Sequence, residues 1–209
     1  MATAELQLCT AHWYGGNAEQ SCANTVESIS KLFGGLKING YYAIPMDEIP
    51  KLNHSVGGVT VTLLEDFQDI DRQMKKGETL ALSDEQAYHY IHDRYGVGDE
   101  KNTSRMKRQQ QYMEAFFTKA KEKAKSDKAY VGQLFREFEQ TATTNLTAKK
   151  ISGLTNRLIK GTQKGFFEIK GTSKIGKALG DGIDHAEFYP DKESIIDVMT
   201  KIYGLKKRE

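Results

Sequence analysis

The stretch LSDEQAYHYIHDRYGVGDEKNTSRMKRQQ, residues 82–110, decides how this chain is read. It opens with a capping box, Ser83-Asp84-Glu85-Gln86, in which serine and glutamine satisfy the free N–H groups of a first helical turn. Ala87, Tyr88, Tyr90 and Ile91 carry that helix to about Tyr95, where Gly96-Val97-Gly98-Asp99 breaks it. A longer helix starts near Thr103 or Ser104 and runs to about Lys125, with Met106, Gln110, Met113, Phe117 and Ala120 as its apolar or semi-apolar stripe. Arg94, Arg105, Arg108 and Gln109 therefore gather across one helix end, a glycine-containing loop and the start of the next helix. Arg105 and Arg108 share a helical face, and a short connection between antiparallel helices brings Arg94 toward them. Guanidinium forks of this kind suit phosphate oxygens, and a helix N-terminus adds free N–H groups and a positive dipole end. Asp99 and Glu100 suit either a divalent cation or neutralisation of the arginines. On spacing alone, the cluster reads as an anion site or as a surface salt-bridge network.

Working outward, Ser21–Phe33 has helical spacing and stops at Gly34-Gly35, and Leu36–Ile44 reads as a strand. Pro45-Met46-Asp47 starts a short helix with Ile49, Leu52 and Val56 on one face, which Gly57-Gly58 ends. Val59–Leu63 alternates as a strand, and residues 64–80 are acidic and irregular. Two amphipathic helices are expected near 129–140 and 147–160. The tail then offers a strand at Phe166–Ile169, a glycine-rich stretch at 171–182, a strand at Ala186–Tyr189 and a last helix capped by Asp191. The pattern predicts a mixed α/β protein with two parts, 1–126 and 127–209.

The composition excludes several classes. With 209 residues, 38% hydrophobic and 28% charged, the chain is globular rather than disordered. No stretch approaches the roughly 18 apolar residues of a membrane-spanning helix, and the N-terminus has no signal-peptide pattern. The net charge of +2 hides an asymmetry. Residues 1–100 carry 7 Lys/Arg against 15 Asp/Glu, and residues 101–164 carry 15 against 5. A basic middle third suits an anionic partner or simply a solvated lysine-rich face. Cys9 and Cys22 complete no zinc site, and their redox state depends on the compartment. Phosphate-loop, dinucleotide and Gly-x-Ser-x-Gly patterns are absent, and His12, His54, His89 and His185 stand isolated in sequence.

Several segments, in order, resemble the LytR-CpsA-Psr family of cell-envelope proteins. They are Leu6–Cys9 with Ala11-His12-Trp13-Tyr14-Gly15-Gly16, then Gly40–Pro50, then Gly57-Gly58-Val59-Thr60-Val61, then Leu82–Ala87. Arg94 with Arg105-Met106-Lys107-Arg108-Gln109-Gln110 closes the core of the likeness, and His185-Ala186-Glu187-Phe188-Tyr189 extends it into the tail. The resemblance implies a mixed β-sheet sandwiched by helices, an apolar tunnel for a polyprenyl chain, and a small α+β C-terminal extension. It implies transfer of a glycopolymer (teichoic acid, capsule or similar) from an undecaprenyl-pyrophosphate carrier to peptidoglycan. It also implies Mg2+ as cofactor, an extracytoplasmic domain anchored by an N-terminal membrane helix, and no nucleic-acid partner.

Carried onto these positions, the family's roles make Arg94 and Arg105 catalytic. Arg94, Arg105, Arg108, Gln109 and His92 would bind the pyrophosphate, and Asp99 the metal. Ile29, Leu32, Phe33, Tyr41, Ile44 and Leu52 would meet the lipid, and the extracytoplasmic setting favours a Cys9–Cys22 disulfide. His92 stands where members usually carry arginine, and Asn102 where an aspartate is natural. The family's opening strands and Pro-Arg-Asp-Thr segment are not matched, so the chain is expected to be a fragment, soluble as it stands and incomplete for catalysis. A non-catalytic polyprenyl-phosphate-binding envelope protein is the alternative, and a DNA-binding attenuator a more distant one.

Overall fold

The computed structural model describes residues 7–204. Its elements, in chain order, are α1 (Ala18–Leu32), β1 (Tyr42–Ala43), α2 (Ile49–Ser55), β2 (Thr60–Thr62), β3 (Thr79–Ala81), α3 (Asp84–His92), α4 (Asn102–Ser126), α5 (Tyr130–Glu137), β4 (Thr143–Thr144), α6 (Ala148–Lys160), β5 (Gly171–Gly176), β6 (His185–Pro190) and α7 (Lys192–Tyr203). Short 3₁₀ segments at Leu8–Tyr14 and Met46–Glu48 precede α1 and α2. The class is the mixed α/β expected. Its strands pair two by two and antiparallel, β1 with β4, β2 with β3 and β5 with β6.

The chain divides into two compact units, at different boundaries from 1–126 and 127–209. One comprises residues 1–43, 143–145 and 166–209, and the other 44–142 and 146–165. Two facts explain the difference. Tyr42 and Ala43 pair with Thr144 and Thr143, so a short excursion of the chain belongs with the first unit. Helices α5 and α6 pack on α4, which holds them in the second.

In the first unit, Asn17 caps α1 by accepting the Gln20 N–H at 2.8 Å, and the 3₁₀ turn lies on that helix. Strands β5 and β6 form a hairpin whose register runs from Gly171↔Pro190 to Gly176↔His185. Helix α7 ends at Gly204, in the left-handed conformation. The cysteines stay apart, contrary to the disulfide expectation. Both thiols are free, with Cys9 exposed beside Gln7 and Cys22 buried on α1, where burial raises its pKa.

The second unit holds one contiguous core. Val59, Val61 and Leu63 from β2 and its flanks meet Leu82, Ala87, Tyr90 and Ile91 around α3, with Phe67 and Met74 from the connection between β2 and β3. Asn53, fully buried, ties the layers together. Its amide donates to the Leu82 carbonyl (3.1 Å) and Asp84 (2.9 Å), and its oxygen accepts from Val59 N–H (2.9 Å) and the Tyr112 hydroxyl (3.2 Å). The inward stripe of α4 is Arg108, Tyr112, Phe116, Ala120 and Ala124. This corrects the expected stripe, since Met106 and Phe117 are exposed. Apolarity alone picked a neighbouring face because the true one begins with an arginine.

Candidate functional site

The capping box forms as expected. Ser83 Oγ accepts the Gln86 N–H at 3.1 Å, and Gln86 Oε1 accepts the Ser83 N–H at 2.9 Å. Helix α3 then ends at His92, three residues earlier than expected, because Asp93 turns extended while its N–H still reaches the His89 carbonyl. The loop from Asp93 to Lys101 is pinned by Val97, which inserts into the core. Glu100 takes a left-handed conformation (φ 56°) that costs a non-glycine residue about 1–2 kcal/mol. Its carboxylate accepts the Gly96 N–H at 2.8 Å, which offsets that cost.

Around this loop the predicted arginines take different stations. Arg108 is buried, a full turn inside α4. Its guanidinium pairs with Glu65, donates to the Asp93 carbonyl, and lies over the Phe67 ring at 5.0 Å and the Tyr90 ring at 6.0 Å. Burial pulls its pKa down, and Glu65 opposes that pull. Burial likewise pushes the Tyr90 hydroxyl up to about 12. Arg105 is half-buried, with one Nη on Asn102 (2.8 Å) and the other 3.5 Å from the His92 carbonyl. Arg94 is also half-buried, and its guanidinium folds over its neighbour Tyr95, 4.2 Å from the ring centroid. Gln109 donates to the Ile91 carbonyl at 3.0 Å, so it braces the end of α3. Arg105 and Arg108 each bury an Nε–H that meets no acceptor.

Two residues matter here that the sequence did not single out. Glu65 supplies the counter-charge for Arg108 from the segment read as irregular. Asp93 holds two histidines, with Oδ2 2.7 Å from His89 Nδ1 and Oδ1 2.8 Å from His92 Nδ1. The His89–Asp93 spacing of four, visible in the sequence, was the available signal for that group.

Asp99 does not build a metal site. Its carboxylate accepts the Lys101 N–H at 3.0 Å and is 3.7 Å from the Lys101 ammonium, and these contacts with a bond to Ser104 hold its pKa down. Among the described residues, no three His, Cys, Asp or Glu side chains gather to hold a cation. The described residues do not fit Mg2+.

The expected lipid contacts are all half-buried. Ile29, Leu32, Phe33 and Tyr41 belong to the first unit, Ile44 and Leu52 to the second, where Leu52 packs on the core. A cleft of about 480 Å3 opens between α4 and α6, lined by Phe117, Lys121, Lys125, Arg157 and Leu158. Phe117 lies twelve residues beyond Arg105, about 18 Å along the helix, so the arginine cluster lies outside that cleft. No described helix is long and apolar enough to cross a membrane.

No curated protein sequence matches the chain. B. subtilis TagV is similar in structure with a TM-score of 0.71 and 20% identity, over 94% of this chain and 73% of that one. The Lin1025 protein of Listeria innocua gives a TM-score of 0.67 at 20% identity, covering 94% of this chain and 77% of its own. TagT bound to LI-WTA gives 0.66 at 18% identity, covering 94% and 70%. These likenesses establish the fold. The LytR_cpsA_psr family's sequence pattern matches residues 2–202. A match over that span shows that the chain belongs to the LytR-CpsA-Psr family.

Proposed function

We propose that this chain handles a cell-wall glycopolymer carried on polyprenyl pyrophosphate and transfers it to peptidoglycan, with the pyrophosphate at Arg94 and Arg105. The observation that carries this reading is the arrangement at the start of α4. Two half-buried arginines flank the loop between α3 and α4, and the Nε–H of one of them, Arg105, meets no protein acceptor. A diphosphate supplies acceptors for guanidinium donors of this kind. Arg108 acts from beneath, fixing the loop through the Asp93 carbonyl and leaving Arg105 and Arg94 to face the ligand. The family membership and the fold shared with TagT, which is bound to LI-WTA, support the ligand class.

In this chemistry an acceptor hydroxyl attacks the sugar-side phosphorus, the bridging P–O bond breaks, and polyprenyl phosphate departs. The arginines stabilise the charge that builds on the phosphate oxygens as that bond breaks. The test is native mass spectrometry of the chain with polyprenyl pyrophosphate. Wild type is expected to retain the lipid, while Arg94→Ala and Arg105→Ala lose it with an unchanged circular-dichroism spectrum. Undiminished binding in both variants would sink the assignment. Binding without transfer to a peptidoglycan fragment would leave a non-catalytic carrier-binding protein.

A further inference from the structure

We infer that His92 is the general base that takes the proton from the acceptor hydroxyl, with Asp93 holding it in the basic tautomer. This rests on the transfer reading above and names a group that reading leaves open. The argument begins with Asp93. Burial acts to raise the pKa of its carboxyl, but hydrogen bonds from His92 and His89 outweigh burial and hold it below the usual range. An ionised carboxylate only accepts, so the proton in each contact must sit on the histidine Nδ1. Each neutral ring is then left with an unprotonated Nε2, the lone pair a base needs.

His92 is the better placed of the two. Its side chain is 45% exposed against 28% for His89. Its ring stacks on Tyr88 with centroids 4.8 Å apart and planes 15° from parallel, so the ring is fixed in orientation as well as in tautomer. The backbone on either side of the pair is tied to the arginines, the His92 carbonyl to Arg105 and the Asp93 carbonyl to Arg108. The base and the phosphate-binding groups are thereby built on the same two residues of chain. The charged and titratable groups tied to it are Tyr88, stacked on its ring, Asp93 with His89 on the same carboxylate, Arg105 on its carbonyl, and Arg108 with Glu65 on the Asp93 carbonyl. The step balances. Nε2 accepts the hydroxyl proton, the freed oxygen bonds to the sugar-side phosphorus, and the bridging P–O electron pair leaves with polyprenyl phosphate. The imidazolium then returns its proton to that phosphate.

The experiment compares wild type, His92→Gln and Asp93→Asn in the full chain by three readouts. These are lipid-pyrophosphate retention in native mass spectrometry, transfer rate against pH, and the imidazole tautomer from ¹⁵N NMR. His92→Gln is expected to transfer about 10²–10⁴-fold more slowly at saturating lipid pyrophosphate and to lose the acidic limb of the pH profile. Asp93→Asn is expected to keep binding, to slow transfer by about tenfold or more, and to move the His92 proton to Nε2. Transfer by His92→Gln within about threefold of wild type at every pH overturns the inference. A wild type that binds but never transfers also overturns the base, while the binding assignment stands. A wild type that fails to bind overturns both.

Discussion

Replacing Arg108 with alanine should cost the second unit most of its stability, before any effect on a ligand can be read. The side chain is 1% exposed, and its guanidinium is shared between the Glu65 carboxylate and the Asp93 carbonyl above the Phe67 and Tyr90 rings. Removing one member of a buried ion pair costs about 3–5 kcal/mol, because the other charge is left without compensation. The orphaned carbonyl adds about 1–3 kcal/mol that partly overlaps with this. A net loss of about 4–6 kcal/mol is therefore expected, against about 5–15 kcal/mol for a whole domain. With a urea m-value of about 2 kcal/mol/M, the midpoint should fall by about 2–3 M. Urea unfolding followed by far-ultraviolet circular dichroism reads this directly. The paired replacement Arg108→Met with Glu65→Leu should recover most of the loss, since apolar side chains can substitute for a buried pair when both charges go. Arg94→Ala, which breaks no buried ion pair, should stay within about 0.5 kcal/mol of wild type. A midpoint for Arg108→Ala within about 0.5 M of wild type, or a double variant no better than the single, would refute the buried-pair account.

Asn53→Ala should cost about 2–4 kcal/mol in the same assay, because it strands the buried Val59 N–H and Leu82 carbonyl together. Gly98→Ala should destabilise by about 1–3 kcal/mol, since Gly98 is left-handed (φ 54°) and an added Cβ would collide with the Glu65 carboxylate. The same displacement should weaken lipid-pyrophosphate retention in native mass spectrometry. Asp93 makes stability depend on acid pH. Its folded pKa lies below the unfolded value of about 3.9, so its contribution is present above that value and is lost as pH falls through the folded one. Asp93→Asn should flatten the fall of the urea midpoint below about pH 4, and an unchanged slope there would count against the histidine contacts.

The elements most legible in the sequence are those held by local chemistry. The capping box at Ser83–Gln86 is one, and the ends of α5 and α6 fall close to expectation because amphipathic periodicity and capping are properties of neighbouring residues. The elements that were misread depend on distant partners. Leu36–Ile44 has strand-favouring residues, yet only Tyr42 and Ala43 form one, because β4 offers just Thr143 and Thr144 to pair with. The glycine-rich run at 171–176 is a strand despite its low propensity. A Cβ at Gly171 would collide with the Tyr189 carbonyl, and one at Gly176 with the Glu187 carboxylate, so the hairpin partner demands glycine at both ends. The site follows the same division. Arg94 and Arg105 were legible because the loop and the next helix stand together in sequence. Arg108 was legible as a cation but not as a buried one, since Glu65 lies 43 residues back in a segment with no periodic signal. That distance explains how the two faces of α4 were confused. An inward arginine lowers the apolarity of the true stripe, and Met106 and Phe117 raise that of the wrong one. A buried cation facing inward therefore marks where the fold serves the site, holding the loop that carries His92 and Asp93 at some cost in packing.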